Sequence, residues 1–353
     1  MIPVMKPKLA SFESLRPFLE RIDQSSIYSN FGPLSWDLRV EYSKYLQVPP
    51  EHIVPLANAT LAIQGCLEIL EQENWIIPDY TFAATACAAV SAKKHIYIAD
   101  VRDDNFQLEF PVNIMRNDFG VIPVMPFGAP IVFEDWQGID SLVIDAAASL
   151  GTTPPNFAEM PLNSMVVYSL HATKVLGAGE GAIVICENEK LAKKLRAWSN
   201  FGFDGSRDSV MHGTNAKISE YSCAIALASI SSFQTEKVDW ENRLQYVQNL
   251  DYPKKLRTIV DNYPGFRPYW IIQLESLIEK ENLVHYLNGK QIETRSWWGT
   301  PISKMSAFSS LIKFSDGTNS KYFSETHLGL PIWKGIEDQQ LEYISQSLRN
   351  YFM

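Results

Sequence analysis

The chain has 353 residues, 46% hydrophobic and 20% charged, with 40 acidic against 31 basic side chains and a formal net charge of −9. At ~150 residues per domain this is a prior for about two domains with an ordered core, and the acidic balance excludes a nucleic-acid groove or an anionic membrane surface as the main partner. Cys66, Cys87, Cys186 and Cys223 lie far apart with no C-x-x-C pair, which excludes a zinc ribbon or disulfide scaffold and suits a reducing cytosol.

The first ten residues hold two prolines and two lysines and no apolar core, so no secretory leader is expected. No run reaches the ~18 apolar residues of a membrane span. A soluble cytoplasmic protein with no membrane partner is expected. From about residue 50 to 190, short apolar runs alternate with helical or irregular pieces: Ile53–Ala57, Trp75–Pro78, His95–Ala99, Val121–Met125, Ile131–Phe133, Leu142–Ile144, Met165–Leu170 and Ala182–Cys186. Most are continuous rather than alternating, the pattern of strands buried on both faces of a mostly parallel sheet covered by helices. Between the first two runs, Leu61, Ile63, Leu67 and Leu70 fall at near-helical spacing and complete a β-α-β unit. An α/β fold follows.

After Cys186 the texture changes. Residues Asn188–Asn200 read as an amphipathic helix with Leu191, Leu195 and Trp198 on one face. The stretch 202–215 reads as a loop, and Ser219–Phe233 as a helix rich in small residues. A mixed region follows, punctuated by Pro253, Pro264 and Pro268, with a strand near Tyr269–Leu274, a helix near Leu277–Leu287 and a terminal helix near Asp338–Tyr351. The spacing predicts a domain boundary near residue 235, dividing a large domain, 1–234, from a small α+β domain, 235–353.

The densest local feature runs from Tyr168 to Gly181, YSLHATKVLGAGEG. Gly177, Gly179 and Ala182 formally fit the G-x-G-x-x-G/A dinucleotide fingerprint, but that motif leaves a strand and opens a helix, whereas a strand-like run follows these glycines. No Walker A, G-x-S-x-G or H-E-x-x-H sequence occurs, and the six histidines share no metal-ligand spacing. What remains is Lys174, just beyond one apolar run, and Asp145, at the end of another. A lone lysine beside glycines is ordinarily a surface residue, and a lone aspartate after a strand ordinarily a cap. Together they point to pyridoxal phosphate: a lysine amine condenses with the cofactor's aldehyde, and a carboxylate facing the pyridine nitrogen keeps the ring an electron sink. Both sit where open α/β sheets bind ligands, beyond the carboxyl ends of strands.

Four segments in order, Tyr28–Pro33, Pro78–Thr85, the S-x-H-x-T-K-x-x-x-x-G-E-G form around Lys174, and Gly213–Glu220, make the chain similar to the DegT/DnrJ/EryC1/StrS aminotransferases, pyridoxal phosphate enzymes of fold type I. The resemblance runs nearly end to end, to Leu328–Pro331. It implies that Lys174 holds the cofactor and carries protons, that Asp145 partners the pyridinium nitrogen, and that Phe82 stacks on the ring. Ala59 and Thr60, opening the helix at 61–70, match the phosphate-binding turn, where free amides and the helix dipole make an anion site. Ser169 is implied as a second phosphate ligand.

Asn215 is implied to reach the phosphate of the other subunit, which would make the enzyme a homodimer with shared active sites. One position departs from the family: Ala148 stands where Gln or His often touches the cofactor's 3′ oxygen, so that contact must come from elsewhere or be absent. Lys174 itself weighs against the dehydratase branch that carries histidine there; His171 does not substitute for it.

The Ile292–Gly299 stretch, Asn30–Pro33 and Gly213–Glu220 look most like the branch that takes the amine of L-glutamate to dTDP-4-keto-6-deoxyglucose, making dTDP-4-amino-4,6-dideoxyglucose for surface polysaccharide such as O-antigen. Arg295 and Lys217 are then candidate contacts for a nucleotide diphosphate, Asn30 for the sugar, and Trp297 and Trp298 for apolar walls. Amination at C3, or a UDP- or GDP-linked sugar, is a rival on the same fold. A non-catalytic pyridoxal phosphate sensor is opposed by the retained Lys174 and Asp145 and by the absence of any DNA-binding helix pattern.

Overall fold

The computed structural model describes residues 1–112, 114–258, 261 and 268–353; Pro264 of the proline-punctuated region lies outside them. In chain order the elements are α1 (Phe12–Ser25), α2 (Pro33–Leu46), β1 (Ile53–Leu56), α3 (Ala59–Ile69), β2 (Asn74–Pro78), α4 (Ala83–Ser91), β3 (His95–Ala99), β4 (Gly120–Val121), β5 (Leu142–Asp145), β6 (Ser164–Ser169), β7 (Ala182–Cys186), α5 (Glu189–Trp198), α6 (Glu220–Asn249), β8 (Trp270–Gln273), α7 (Leu277–Gly289), β9 (Ile312–Lys313), α8 (Thr318–Thr326), β10 (His327–Leu330) and α9 (Asp338–Phe352).

Eight strands form one sheet in the order β1-β7-β6-β5-β4-β2-β3-β9. Every neighbouring pair is parallel except the two that β7 makes with β1 and β6. The expected mostly parallel α/β sheet is therefore present, with β7 as its one reversed strand. The expected β-α-β unit joins strands that run the same way but are not neighbours, since β7, β6, β5 and β4 lie between β1 and β2.

The continuous apolar runs have the cause inferred for them. Leu142 and Ile144 pack on one face with Leu38 and Tyr42 of α2 and Leu227 of α6. Val143 packs on the other, with Cys66 and Leu67 of α3, Ala89 of α4 and Trp198 of α5. Successive side chains of a strand point to opposite faces, so a sheet covered on both sides needs apolar residues at every position.

Two expected strands differ. The Val121–Met125 run pairs as a ladder only at Gly120–Val121, because Pro123 has no N–H to give; the chain stays aligned, with Asp145 donating to the Pro123 carbonyl at 2.9 Å and Met125 donating to the Asp145 carbonyl at 2.9 Å. The Ile131–Phe133 run forms no strand. Ile131 and Phe133 enter the core while Val132 stays exposed, and Phe133–Trp136 closes into a short 3₁₀ turn.

Helix α6 runs unbroken through residue 235, placing Phe233 in the core beneath the large sheet and Trp240 in a second core built on β8, β10, α7 and α9. The chain also returns from that region to the large sheet. Strand β9 pairs with β3, and Ile302 and Phe308 enter the core shared with α3 and α4. Two carboxylates at strand ends hold this return in place. Asp79 accepts from the Ser303 amide at 2.6 Å and its hydroxyl at 2.7 Å, and Asp100 accepts from the Asn319 amide and from the Ser320 amide and hydroxyl.

The segments Tyr28–Pro33 and Gly213–Glu220 meet in space. Glu220 opens α6, donates its amide to the Tyr28 carbonyl at 2.9 Å, and accepts the amides of Leu34 and Ser35 at 2.7 and 3.0 Å. These are donors of the first turn of α2, which its N-cap Gly32 has no side chain to satisfy. A Cβ on Gly32 would lie 2.6 Å from the Glu220 carboxyl carbon. Burial pushes the Glu220 carboxyl up, and the two amides pull it back. Glu220→Ala is expected to cost about 2–4 kcal/mol, from two buried amides left unpaired; chemical denaturation of the variant checks this, and a loss near zero contradicts it.

Candidate active site

A cavity of about 610 Å³ opens at the carboxyl ends of β5 and β6, beside the amino ends of α3 and α4. Asp145, the last residue of β5, forms part of its floor and is 6% exposed. Its Oδ2 accepts from the Thr85 hydroxyl at 2.7 Å and its Oδ1 from the Ala147 amide at 3.2 Å. Burial raises its pKa above the ordinary aspartate value; the two hydrogen bonds and the charge of Lys174 act against that rise. A buried carboxylate with only neutral donors at hydrogen-bonding distance is poised to take a cationic ring nitrogen.

Lys174 stands in the turn between β6 and β7. That turn is closed by backbone bonds from Leu170 to the Gly181 carbonyl, from Ala172 to that of Gly179, and from Ala178 to that of Leu170. Gly179 has φ +82°, and a Cβ on Gly177 would lie 2.9 Å from the Ala172 carbonyl oxygen. The glycines of the apparent dinucleotide fingerprint thus fold a strand-to-strand hairpin, and no helix opens after them. Inside the hairpin, Nδ1 of His171 meets the Thr173 hydroxyl at 2.9 Å and the Thr173 amide at 3.3 Å. The Lys174 amide donates to the His171 carbonyl at 2.8 Å.

The remaining wall on this side is the amino end of α3. Asn58 caps the helix by accepting from the Leu61 amide at 2.9 Å, while the amides of Ala59 and Thr60 open the helix without an intrahelical acceptor. Ser169 ends β6 and accepts from the His171 amide at 3.1 Å. Phe82, the N-cap of α4, lines the same cavity and is 61% exposed, a large apolar ring with one face uncovered.

Across the cavity stand Arg295, Trp297, Trp298 and Tyr269. The Arg295 guanidinium lies 5.1 Å from the Trp297 ring centroid, and the backbone of Arg295 exchanges two hydrogen bonds with Gly329 of β10. Gly329 has to be glycine: a Cβ there would fall 2.1 Å from the Trp297 indole nitrogen. Trp298 stacks on Phe127 with centroids 4.8 Å apart and planes 2° from parallel.

Of the residues singled out in the sequence, Ala59, Thr60, Phe82, Asp145, Ser169, Lys174 and Arg295 line this one cavity, as does Ala148. Asn30, Asn215 and Lys217 do not line it. Asn30, at φ +65°, is exposed on the segment that Glu220 holds. Asn215 is exposed and pairs by a backbone bridge with Asn200. Lys217 bridges to Leu56, and its ammonium lies 4.6 Å from the Phe201 ring centroid, with burial lowering its pKa.

Three residues of the site were not singled out from sequence: Thr85, which holds Asp145, and Tyr80 and His327, which stand behind the tryptophan wall. The Pro78–Thr85 segment was the available signal for Tyr80 and Thr85. Its residues reach three parts of the site: Tyr80 the wall, Phe82 the cavity, and Thr85 the floor.

The cavity fits pyridoxal phosphate. It offers a buried carboxylate for the ring nitrogen, an uncovered aromatic ring, helix-terminal amides for a phosphate, and a lysine. Fold and cavity together define a pyridoxal-phosphate-dependent aminotransferase. The family model of the DegT/DnrJ/EryC1/StrS aminotransferase family matches residues 13–349, and the chain belongs to that family. The dTDP-4-amino-4,6-dideoxy-D-glucose transaminase of Shigella dysenteriae is 25% identical over 370 residues, covering 98% of each chain. The GDP-perosamine synthase of Vibrio cholerae is 22% identical, covering 100% of this chain and 99% of its own. Among solved structures, DesI in the presence of its TDP-sugar product superposes with a TM-score of 0.86 at 24% identity, covering 99% of this chain and 93% of DesI; that likeness concerns the fold. No helix among the described residues is long and apolar enough to cross a membrane.

Proposed function

We propose that the protein transfers the amino group of L-glutamate to a nucleotide-linked 4-keto-6-deoxy sugar, with dTDP-4-keto-6-deoxy-D-glucose as acceptor and dTDP-4-amino-4,6-dideoxy-D-glucose as product, for surface polysaccharide such as O-antigen. The observation that carries this reading is the two-sided cavity. One side holds Lys174, Asp145 and the amides of α3; the other presents an arginine among three aromatic rings. The full-length similarity to the Shigella dysenteriae transaminase supports the choice of acceptor.

Bound pyridoxal phosphate supplies the carbon that carries the amine between the two substrates and a ring that withdraws electrons. The chain's residues do the rest. Amides of Ala59 and Thr60, with the Ser169 hydroxyl, bind the phosphate; Phe82 covers the ring; Asp145 holds a proton on the ring nitrogen. The Lys174 amine takes the proton from Cα of glutamate and later returns one to the sugar carbon that receives the amine, so one group serves as base and then as acid. Glutamate leaves as 2-oxoglutarate.

Arg295 binds the diphosphate of the sugar nucleotide, against the apolar wall of Trp297, Trp298 and Tyr269. Asn30, Asn215 and Lys217, which lie outside the cavity of their own chain, act at the cavity of a second subunit in a cytoplasmic homodimer. The two cores joined by α6 correspond in this reading to a large cofactor-binding unit and a smaller C-terminal one.

A panel of keto sugars tests the assignment. Glutamate-dependent amination of dTDP-4-keto-6-deoxy-D-glucose is expected, with the amine at C4 of the product. A second reading, supported by the full-length similarity to GDP-perosamine synthase, is a GDP-linked acceptor; turnover of the GDP sugar alone would replace the dTDP assignment. Arg295→Ala is expected to raise KM for the sugar by about 10–100-fold, the size of one lost charge-assisted contact, with kcat changed less. Steady-state kinetics with the sugar varied checks this, and an unchanged KM contradicts the role given to Arg295.

A further inference from the structure

Behind the tryptophan wall lies a buried chain of hydrogen bonds that spans three distant parts of the sequence. The Tyr80 hydroxyl donates to the Trp297 carbonyl at 2.5 Å and meets Nδ1 of His327 at 3.1 Å. A carbonyl only accepts, so the Tyr80 proton is committed to Trp297 and His327 donates from Nδ1 to the Tyr80 oxygen. That bond places a proton on Nδ1, and the surroundings decide whether Nε2 carries a second one. Burial first, and the charge of Lys280 second, push its pKa down to about 3. Nε2 then carries the lone pair, and it is buried without a partner among the described residues.

The surroundings leave this chain little room to move. His327 stacks on Phe323 with centroids 4.9 Å apart and planes 11° from parallel, and it opens β10, the strand whose Gly329 pairs with the Arg295 backbone. The Tyr80 ring meets Trp298 edge-on at 5.3 Å. The segment 295–298 is thus tied to β10 twice: through Arg295 to Gly329, and through the Trp297 carbonyl to Tyr80 and His327. Tyr80 also sits two residues before Phe82, on the loop that reaches the other side of the cavity. Neither Tyr80 nor His327 lines the cavity, so these two side chains bear on it only through the wall.

We propose that Tyr80 and His327 are positioning residues for the acceptor sugar, holding the Trp297–Trp298 wall at a fixed distance from the cofactor side so that the cavity selects a sugar nucleotide without altering how it handles glutamate. This rests on the sugar reading given above. Removing the Tyr80 hydroxyl frees the Trp297 carbonyl and loosens the wall, while Lys174, Asp145 and the amides of α3 keep their places.

The test separates the two half-reactions in the holoenzyme. Glutamate is added in single-turnover absorbance measurements, and dTDP-4-keto-6-deoxy-D-glucose is then added to the aminated enzyme. In Tyr80→Phe the glutamate half-reaction is expected within twofold of the parent and the sugar half-reaction at least tenfold less efficient, through its apparent affinity. His327→Leu is expected to match Tyr80→Phe. His327→Asn, whose side-chain amide can occupy the place of Nδ1–H, is expected within threefold of the parent. Equal slowing of both half-reactions, no slowing of either, or an Asn variant no better than the Leu variant would overturn the proposal.

Hydrogen exchange of the peptide covering 293–300 gives a readout that needs no substrate. Exchange is expected to quicken in Tyr80→Phe and His327→Leu but not in His327→Asn, and unchanged exchange in Tyr80→Phe also overturns the proposal. If the parent enzyme responds to glutamate but not to this sugar, the acceptor assignment fails, and the exchange measurement still decides whether Tyr80 and His327 hold the wall.

Discussion

Lys174→Ala is expected to abolish turnover, with a loss on the order of 10⁴-fold or more. Proton transfer by a positioned side chain contributes about 10²–10⁴-fold, and the same substitution removes the amine that holds the cofactor covalently. Nothing nearby replaces it. His171, three residues earlier, spends Nδ1 on the hydroxyl and amide of Thr173, and its Nε2 faces Glu180 at 3.9 Å. The variant is expected to keep the fold, because the hairpin that carries Lys174 is closed by backbone bonds. Multiple turnovers by Lys174→Ala, measured as 2-oxoglutarate released per enzyme, would contradict the role assigned here.

Asp145→Asn carries the second-largest effect, a loss of about 10²–10³-fold, the size found when a group stabilising charge in the transition state is removed. An amide is nearly the same size, and the pocket can accept it. The Thr85 hydroxyl lies 3.0 Å from the Thr81 hydroxyl as well as 2.7 Å from Asp145, so it can turn to donate to Thr81 and accept from the new amide. What is lost is the negative charge that keeps the ring nitrogen protonated.

The same substitution has an opposite signature in the cofactor-free protein. Burial raises the Asp145 pKa in the folded state, so the folded chain binds the proton more tightly than the unfolded one. Stability from that group is fully present below the ordinary aspartate pKa and is lost as pH rises through the raised folded value. Asparagine does not titrate. The stability of cofactor-free Asp145→Asn relative to the parent is therefore expected to increase as pH rises through that window. Thermal denaturation of both proteins from acid to neutral pH checks it; a difference that stays flat or falls with pH contradicts it.

The fold was legible where burial acts on every residue of a strand. The run Ala182–Cys186 coincides with β7, buried at every position, and Leu142–Ile144 falls within β5, buried likewise in a sheet covered on both sides. It was not legible where pairing depends on a single donor. Pro123 cuts the ladder of β4 short, although Val124 and Met125 remain buried. Helices α1 and α2 also escaped notice. Helix α2 opens with proline after a glycine that cannot cap it, and its missing cap comes from Glu220, 186 residues away from Leu34.

The site divides in the same way. Lys174 and Asp145 were found because each ends or follows a strand-like run, and strands of one open sheet deliver such ends to one side. Thr85 and His327 bear on the site through partners 60 and 247 residues away in the chain, a relation that local pattern does not contain. Asn30, Asn215 and Lys217 lie outside the cavity that a single chain forms, so the roles proposed for them require a second subunit.

The most direct measurement is the absorbance of the purified protein with pyridoxal phosphate, first alone, then with L-glutamate, then with dTDP-4-keto-6-deoxy-D-glucose. The expected result is a visible band from cofactor held by Lys174, its loss when glutamate gives up its amine, and its return when the sugar takes the amine away. A loss with glutamate and no return with this sugar would keep the aminotransferase and remove the acceptor. No visible band at all, with cofactor in excess, would contradict the roles given to Lys174 and Asp145.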